Sequence, residues 1–217
     1  MSLRLFNAFA VPMASIEMPH AAPLNRELRE LFLAREAEGM RYRNPHPSMT
    51  IPDGLFESDF NLFAWTDPPV LKLRDFCWRA LSHFVADLNG YSQQDLSRIV
   101  IQSHTWFHIT RKGGYFGMHN HAMASWSGVY CVDPGGDAPG HPESGMLRFH
   151  CPHQLANMYT DAGNARLRQP YGMGSFNLKH QAGSLVLFPS WLIHEVLPFH
   201  GEGERITVAF NCWFKGA

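Results

Sequence analysis

The chain has 217 residues, of which 17% are charged and 13% aromatic, and its formal net charge at pH 7 is −1. A chain of this length can bury a real core, and the lack of a low-complexity linker predicts one domain over residues 1–217. The near-zero net charge gives no reason to expect nucleic acid or an acidic membrane surface as a partner. The low charged content favours a sizeable apolar cleft or a subunit interface, so a homodimer is one expected assembly.

The cysteines and the apolar runs bear on the compartment. No C-x-x-C spacing joins the four cysteines, which we interpret as reduced thiols of a cytoplasmic protein. The first 13 residues carry a single arginine and a short, interrupted apolar run, which is not the pattern of a signal peptide. Prolines and charged residues interrupt residues 184–199 well short of the roughly 20 apolar residues that a membrane span needs. We therefore expect a soluble protein.

The first 96 residues are predicted to form a helical support region. Residues 3–9 have the pattern of a short strand. Leucines at helical spacing over residues 23–38, followed by a glycine, predict an amphipathic helix. Residues 40–68 are rich in Pro, Asn and Ser and predict a loop with little regular structure. Residues 69–88 predict a second helix, which an Asn-Gly pair ends.

From residue 97 the apolar period changes from helical to two and stays so to the end of the chain. The predicted strands are 98–110, 124–132, 145–150, 183–189, 194–199 and 205–214. Helices followed by many strands indicate an α+β domain in which an antiparallel β core, residues 97–217, carries the N-terminal helices on its outside. A jelly roll or barrel fits this number of strands and leaves a mouth for a ligand.

Two long segments, 133–144 and 155–176, show little periodicity and are predicted loops. Loops of this length in a compact domain are usually either functional or poorly ordered. Our hypothesis is that both rim the mouth of the β core and contact the substrate. The alternative is that they are spacers.

Two histidines stand out in the stretch 111–133. In an extended segment successive side chains point to opposite faces, so His119 and His121 project the same way. Two imidazoles on one face can bind one metal ion. Because the chain has 13 histidines, roughly 0.8 such pairs are expected by chance, and the pair needs support from elsewhere in the chain.

That support comes from residues 188–211. His194 lies in an apolar, strand-like run and offers a third ligand. A turn-rich GEGE follows, and Arg205 and Thr207 then share one face of the next predicted strand. A guanidinium can hold a carboxylate through two parallel hydrogen bonds, so this face predicts an anion clamp.

The combined pattern resembles the iron(II)/2-oxoglutarate-dependent oxygenases. The order H-x-H, distal His and R-x-T, together with S-G-V-Y at 127–130, F-P-S-W-L-I-H at 188–194 and R-I-T-V-A-F-N at 205–211, is similar to a small bacterial group of that family. The resemblance covers residues 106–214. It implies a double-stranded β-helix, iron(II) and 2-oxoglutarate as cofactors, and hydroxylation of an unactivated C–H bond in an unidentified prime substrate.

The resemblance also implies roles for individual residues. His119, His121 and His194 would hold the iron and form the catalytic centre. Arg205 and Thr207 would hold the far carboxylate of 2-oxoglutarate.

A further contact to the cosubstrate is expected from His108, on the predicted strand just before the histidine pair. His108 shares a face of that strand with His104 and Trp106. The sequence departs from its relatives here, because the small group usually has Asn at this position. It departs from the common triad of the family as well, which has Asp or Glu where His121 stands.

Two other functions stay open. One is a cupin-type metalloenzyme in which three histidines hold a metal and no 2-oxoglutarate is used, and three imidazoles plus water are an ordinary zinc set. The other is a catalytically silent β-barrel that binds a small ligand. A carboxylate could also reach the metal from Asp133, whereas Glu195 should point away because it neighbours His194 on a strand. No role is predicted for His20, His46, His83, His141, His153, His180 or His200.

Overall fold

The computed structural model describes residues 2–51, 53–152 and 159–216. Within these ranges the helices are α1 (Ala21–Ala37), α2 (Pro68–Asn89) and the short α3 (Gln93–Leu96). The strands are β1 (Ala14–Glu17), β2 (Leu55–Glu57), β3 (Val100–Thr110), β4 (Phe116–His119), β5 (Trp126–Asp133), β6 (Leu147–His150), β7 (Ser175–Leu178), β8 (Ser184–Pro189), β9 (His194–Val196) and β10 (Arg205–Lys215). His153 and the first part of the predicted loop 155–176 lie outside the described residues.

The strands form two antiparallel sheets. The larger sheet has the order β1-β8-β5-β10-β3-β2, and the smaller has the order β4-β9-β6-β7. An apolar cluster joins them, with Leu147 and Phe149 from the small sheet packed against Val186 and Phe188 from the large one. This arrangement of two facing sheets agrees with the predicted jelly-roll core.

Strand β10 shows why the large sheet is buried on both faces. Its even-numbered residues, among them Val208 and Phe210, belong to the apolar core that the helices cover. Its odd-numbered residues, among them Arg205 and Thr207, line an internal cavity. Because side chains alternate along a strand, one continuous run of buried residues serves both purposes.

Helices α1 and α2 cover the outer face of the large sheet, as the apolar periodicity predicts. Leu24, Leu28 and Phe32 from α1 join Leu73 and Leu81 from α2 in that core. The Phe32 ring stacks on Phe107 of β3 with centroids 4.2 Å apart. The predicted helix boundaries hold to within two residues, because capping signals are local. No helix in the described part of the chain has the length and apolar content needed to cross a membrane.

Side-chain packing explains the glycine of the S-G-V-Y motif. Gly128 on β5 lies opposite Phe210 on β10. A Cβ atom at Gly128 would collide with the Phe210 ring, which is fully buried. The aromatic ring can therefore lie flat against β5 only where that strand carries no side chain.

Three predictions about the elements are wrong. The strand at residues 3–9 is absent, and β1 forms further along, because only Ala14–Glu17 pairs with β8. Residues 40–68 are not simply a loop, since they include β2, which extends the large sheet by pairing with β3. Strands β4 and β7 were not among the predicted strands, and β7 begins inside the segment 155–176 that was predicted to be a loop. Short strands depend on their partners more than on their own sequence.

Candidate active site

The three predicted metal ligands come together at one end of the small sheet. His119 ends β4 and lies directly opposite His194, the first residue of β9. His121 follows β4, where its backbone N–H donates to the Ser190 carbonyl at 2.8 Å. One potential ligand atom from each of the three imidazoles lies within 4.8 Å of the other two. This spacing suits three ligands on one face of a single metal ion.

Two of the three rings are oriented by backbone carbonyls. Nδ1 of His119 lies 2.7 Å from the Gly117 carbonyl oxygen, and Nδ1 of His194 lies 2.8 Å from that of Leu192. Since a carbonyl accepts hydrogen bonds, each Nδ1 carries the proton and donates it. The Nε2 lone pair of both rings is then left for a metal, which is the usual outer-shell arrangement around a histidine ligand.

Burial keeps the three imidazoles in the neutral form that binds metal. It lowers the pKa of His121 to about 4 and the pKa of His194 to about 3, and it also lowers the pKa of His119. The main cause in each case is desolvation of the charged form, to which the charges of neighbouring histidines add. A metal ion would not have to displace a proton from these rings at neutral pH.

Buried neutral histidines should make the stability of the metal-free protein depend on pH. His121, His194 and His180 have lowered pKa values of about 4, 3 and 3, against about 6.5 in an unfolded chain. Above pH 6.5 both states are neutral, and as the pH falls the unfolded state alone takes up protons. Each such histidine should cost about 2 kcal/mol of stability by pH 5.

Urea unfolding of the metal-free protein between pH 7 and pH 5 measures this effect. The expected result is a midpoint that falls steadily below pH 6.5. In His180→Gln the unfolding midpoint should decrease less steeply with falling pH than in the wild type. His83→Gln, which changes a histidine at an exposed position, should leave the slope unchanged. An unfolding midpoint that stays constant over this range would show that the histidines titrate normally in the folded protein.

Arg205 and Thr207 lie where β10 runs along the same cavity. Both are buried, and the Arg205 side chain has no hydrogen-bond or ion-pair partner among the described residues. Burial lowers the pKa of Arg205, because it removes the charged guanidinium from water. A buried guanidinium without a partner is costly, and an anion in the cavity would satisfy it.

The cavity joins the histidines to Arg205. It has a volume of about 830 Å³, and its walls include the three histidines, Arg205 and Thr207. This volume lies within the range of small-molecule sites. The donor sets therefore fit iron(II) and 2-oxoglutarate: neutral imidazole nitrogens at one point and a free guanidinium at another, in one space.

His108 lines the cavity beside Thr207, its register partner on β10. Its Nε2 atom lies 2.8 Å from Oε2 of Glu57, and the other carboxylate oxygen accepts a hydrogen bond from Asn44 Nδ2 at 2.6 Å. Burial alone would raise the pKa of Glu57. The hydrogen bond and electrostatic attraction from His108, together with the hydrogen bond from Asn44, outweigh burial, so the pKa is lowered. An ionised Glu57 thus holds the His108 ring in place.

Glu57 and Asn44 were not predicted as site residues, because both lie in the segment predicted to be a loop. The N–H of His46 fixes the Asn44 amide by donating to its Oδ1 at 2.9 Å. Apolar and polar side chains do alternate in L-F-E (residues 55–57), since Phe56 packs in the core and Glu57 faces the cavity. Three residues are too few for that alternation to be recognised.

Replacing Glu57 with glutamine should destabilise the protein. Glutamine has an N–H₂ group in place of one of the two carboxylate oxygens, so one of the two buried donors, Asn44 or His108, loses its acceptor, and we expect a loss of about 1–3 kcal/mol in the free energy of unfolding. Urea unfolding measures it. Glu17→Gln makes the same chemical change at an exposed position of β1 and should have little effect. Equal losses in the two variants would mean that the Glu57 contacts contribute nothing.

The alternative carboxylates lie elsewhere. Asp133 binds Arg29 at 3.1 Å and accepts the N–H of Gly135 at 2.9 Å, and it is not one of the cavity-lining residues. Glu195 points away from His119, His121 and His194, as predicted, and its Oε1 atom lies 3.0 Å from Nε2 of His150. The described residues thus bring three histidines together without a carboxylate among them.

The expectation that the two long loops rim the cavity is not met by the described part of the chain. None of the described residues of 133–144 or 159–176 lines the cavity. The first loop instead follows β5 on the side of Arg205, where Gly135 and Gly145 approach the Arg205 backbone and side chain. Residues 44–60 and 120–124 supply cavity-lining positions instead.

Comparisons with known proteins agree with this geometry. Residues 104–211 match the model of the family described as "Putative 2OG-Fe(II) oxygenase". This segment contains the three histidines, Arg205 and Thr207. The comparison with curated proteins gives no match.

Several solved structures share the fold. A Pseudomonas putida prolyl-4-hydroxylase is 19% identical with a TM-score of 0.61, and the match covers 95% of this chain and 94% of that one. AviO1 from Streptomyces viridochromogenes Tue57 is 16% identical with a TM-score of 0.59, covering 94% and 90%. HygX from Streptomyces hygroscopicus, solved with nickel, 2-oxoglutarate and hygromycin B, is 14% identical with a TM-score of 0.57, covering 94% and 83%.

At these identities the likeness to solved structures concerns the fold, and it confirms the predicted double-stranded β-helix. The family match adds the activity class and its cofactors, iron(II) and 2-oxoglutarate. The chain therefore belongs to the 2-oxoglutarate- and iron(II)-dependent oxygenases.

Proposed function

We propose that this enzyme is a dioxygenase that hydroxylates an unactivated C–H bond, with His119, His121 and His194 holding iron(II) and Arg205 holding 2-oxoglutarate. One observation carries the proposal. A single cavity contains three neutral imidazoles at one point and a buried guanidinium, without a partner among the described residues, at another. A keto acid that reaches both would satisfy each of them.

The residues have distinct tasks in this proposal. The three imidazoles would hold iron(II) through neutral nitrogen ligands and would leave it free to bind the keto acid as well. Arg205 pairs with the far carboxylate through charge-assisted hydrogen bonds, and the Thr207 hydroxyl adds a donor two residues along the same face. His108, held by Glu57, contacts the cosubstrate between them. When bound, iron and 2-oxoglutarate supply the oxidising chemistry, whereas the protein supplies position and a dry site.

The third histidine changes the charge of the centre. Neutral His121 stands where the common triad has an anionic carboxylate, so the metal centre carries one more unit of positive charge. This favours a dianionic keto acid. Because the same ligand set suits zinc, a three-histidine enzyme without 2-oxoglutarate is the main competing function. The unpartnered Arg205 favours the 2-oxoglutarate enzyme, since that competitor has no use for a buried cation.

Release of succinate separates the two functions. Purified protein stripped of metal is supplied with iron(II), 2-oxoglutarate and oxygen, and succinate is measured by mass spectrometry. We expect slow succinate formation even without the prime substrate, and none when iron(II), 2-oxoglutarate or oxygen is omitted. Zinc in place of iron(II) is the matched control and should give none, because zinc has no redox chemistry. Unchanged 2-oxoglutarate after prolonged incubation with iron(II) would favour the competing function.

A further inference from the structure

The cavity extends beyond the site proposed for 2-oxoglutarate, and strand β10 runs along its length. Its cavity-facing residues run from Arg205 to Trp213, a span of roughly 26 Å along an extended strand. Trp106 lies opposite Ala209 near the middle of that span, and its ring centroid is 6.0 Å from that of His121. The metal ligands therefore stand near the middle, with Arg205 towards one end and an unassigned region towards the other.

Aromatic rings line the unassigned region in a continuous series. The Phe60 centroid lies 4.9 Å from that of Trp106 and 6.0 Å from that of His104. His104 in turn packs edge to face against Trp213 at 5.1 Å. The Trp213 ring is held by its own N–H, which donates to Gln102 Oε1 at 3.0 Å. We refer to Phe60, His104, Trp106 and Trp213 as the aromatic subsite.

The cavity provides no free charge for a charged ligand at this end. Among the described residues that line it, Glu57 and Arg205 are the only Asp, Glu, Lys or Arg side chains. Glu57 is already bonded to Asn44 and His108, and Arg205 stands at the opposite end of the span. A charged group would have to lose its water at the aromatic subsite without gaining a partner of opposite charge.

A hydrogen-bond donor lies beside the rings. The Asn211 Oδ1 atom accepts the Ser127 hydroxyl at 2.7 Å, which leaves the Nδ2 group as a donor on the cavity wall. An oxygen atom of a ligand is the natural partner of this amide group, because native proteins rarely leave buried polar groups without a hydrogen bond.

We propose that the aromatic subsite binds the prime substrate through an uncharged, planar ring system that carries a carbonyl or hydroxyl oxygen, which accepts from the Asn211 amide. This rests on the proposed function and adds the substrate class. Aromatic faces favour a planar ring through offset stacking. The Asn211 amide donor selects an oxygen acceptor, and the lack of free charge disfavours acids and amines.

The test uses three small probes of one shape and different charge: neutral benzamide, cationic benzamidine and anionic benzoate. Each is titrated into the full-length protein loaded with nickel(II) and saturated with 2-oxoglutarate, and binding is followed by ligand-observed NMR. Benzamide should bind with a Kd on the order of 1 mM, at least roughly tenfold tighter than either charged probe. Preferred binding of benzamidine, as cation–π attraction would give, overturns the proposal. So does the absence of benzamide binding.

Variants locate the site. Phe60→Ala and Trp213→Leu should each weaken benzamide binding roughly 3- to 10-fold. Tyr91→Ala is the matched control, since Tyr91 and Phe60 are both 42% exposed and Tyr91 does not line the cavity. Equal affinities in all three variants would place the probe elsewhere and overturn the proposal. Asn211→Asp replaces donors with a carboxylate and should reverse the order, so that benzamidine binds on the order of tenfold tighter than benzamide.

Failure of this inference is distinguishable from failure of the proposed function. Calorimetry of 2-oxoglutarate binding to the nickel-loaded wild-type protein tests the function alone. Benzamide and benzamidine are then titrated into metal-free protein without 2-oxoglutarate, since none of the subsite residues depends on either cofactor; benzoate is left out because the vacant Arg205 would itself bind it. Benzamide selectivity in a protein that does not bind 2-oxoglutarate would refute only the function. Bound 2-oxoglutarate without benzamide selectivity would refute only the substrate class.

Discussion

His194→Ala should abolish metal binding. His194 starts β9 directly opposite His119, and its ring is 4% exposed and oriented by the Leu192 carbonyl. Removing it leaves two imidazoles, and alanine offers no replacement ligand. Elemental analysis of the purified variant after incubation with iron(II) measures the effect, and near-zero occupancy is the expected result. Full occupancy would show that His194 is not a ligand.

A paired comparison tests the three-histidine arrangement itself. His121→Ala should lose the metal, whereas Asp133→Ala should keep it, because Asp133 is bonded to Arg29 away from the histidines. Circular dichroism verifies that both variants are folded. The opposite pattern, with metal lost from Asp133→Ala and retained by His121→Ala, would indicate an ordinary two-histidine-one-carboxylate centre.

Arg205→Leu should weaken 2-oxoglutarate binding strongly while leaving metal binding intact. Losing a buried, charge-assisted pair costs on the order of 2–5 kcal/mol, which corresponds to roughly 30- to several-thousand-fold in affinity. Calorimetry on the nickel-loaded protein measures it. Arg205→Lys keeps the charge but not the two parallel hydrogen bonds, so it should fall between wild type and Arg205→Leu.

Arg205→Leu should not destabilise the ligand-free protein, although it weakens 2-oxoglutarate binding. Arg205 is buried without a partner among the described residues, and replacing an unpaired buried charge with an apolar side chain should be neutral or should stabilise the fold by about 1–4 kcal/mol. Urea unfolding without ligand checks this. An arginine with a purely structural role would give the reverse, with lower stability and unchanged 2-oxoglutarate affinity.

The sequence by itself determined the features that depend on local periodicity. Alternation along an extended strand is set by backbone geometry alone, so it placed Arg205 and Thr207 on one face before any partner strand was known. The leucine spacing of α1 and the cavity-facing series on β3 follow in the same way. The three histidines could be grouped only because the family motif linked His194 to a pair more than 70 residues earlier.

Tertiary structure decided what depends on distant partners. Glu57 became a cavity residue because β2 pairs with β3, which brings its carboxylate to His108, 51 residues away. The lack of a partner for Arg205 could not be inferred from sequence either, since it depends on the side chains of several strands around it. Strand pairing and burial depend on contacts with residues distant in sequence, so they cannot be inferred from a short segment alone.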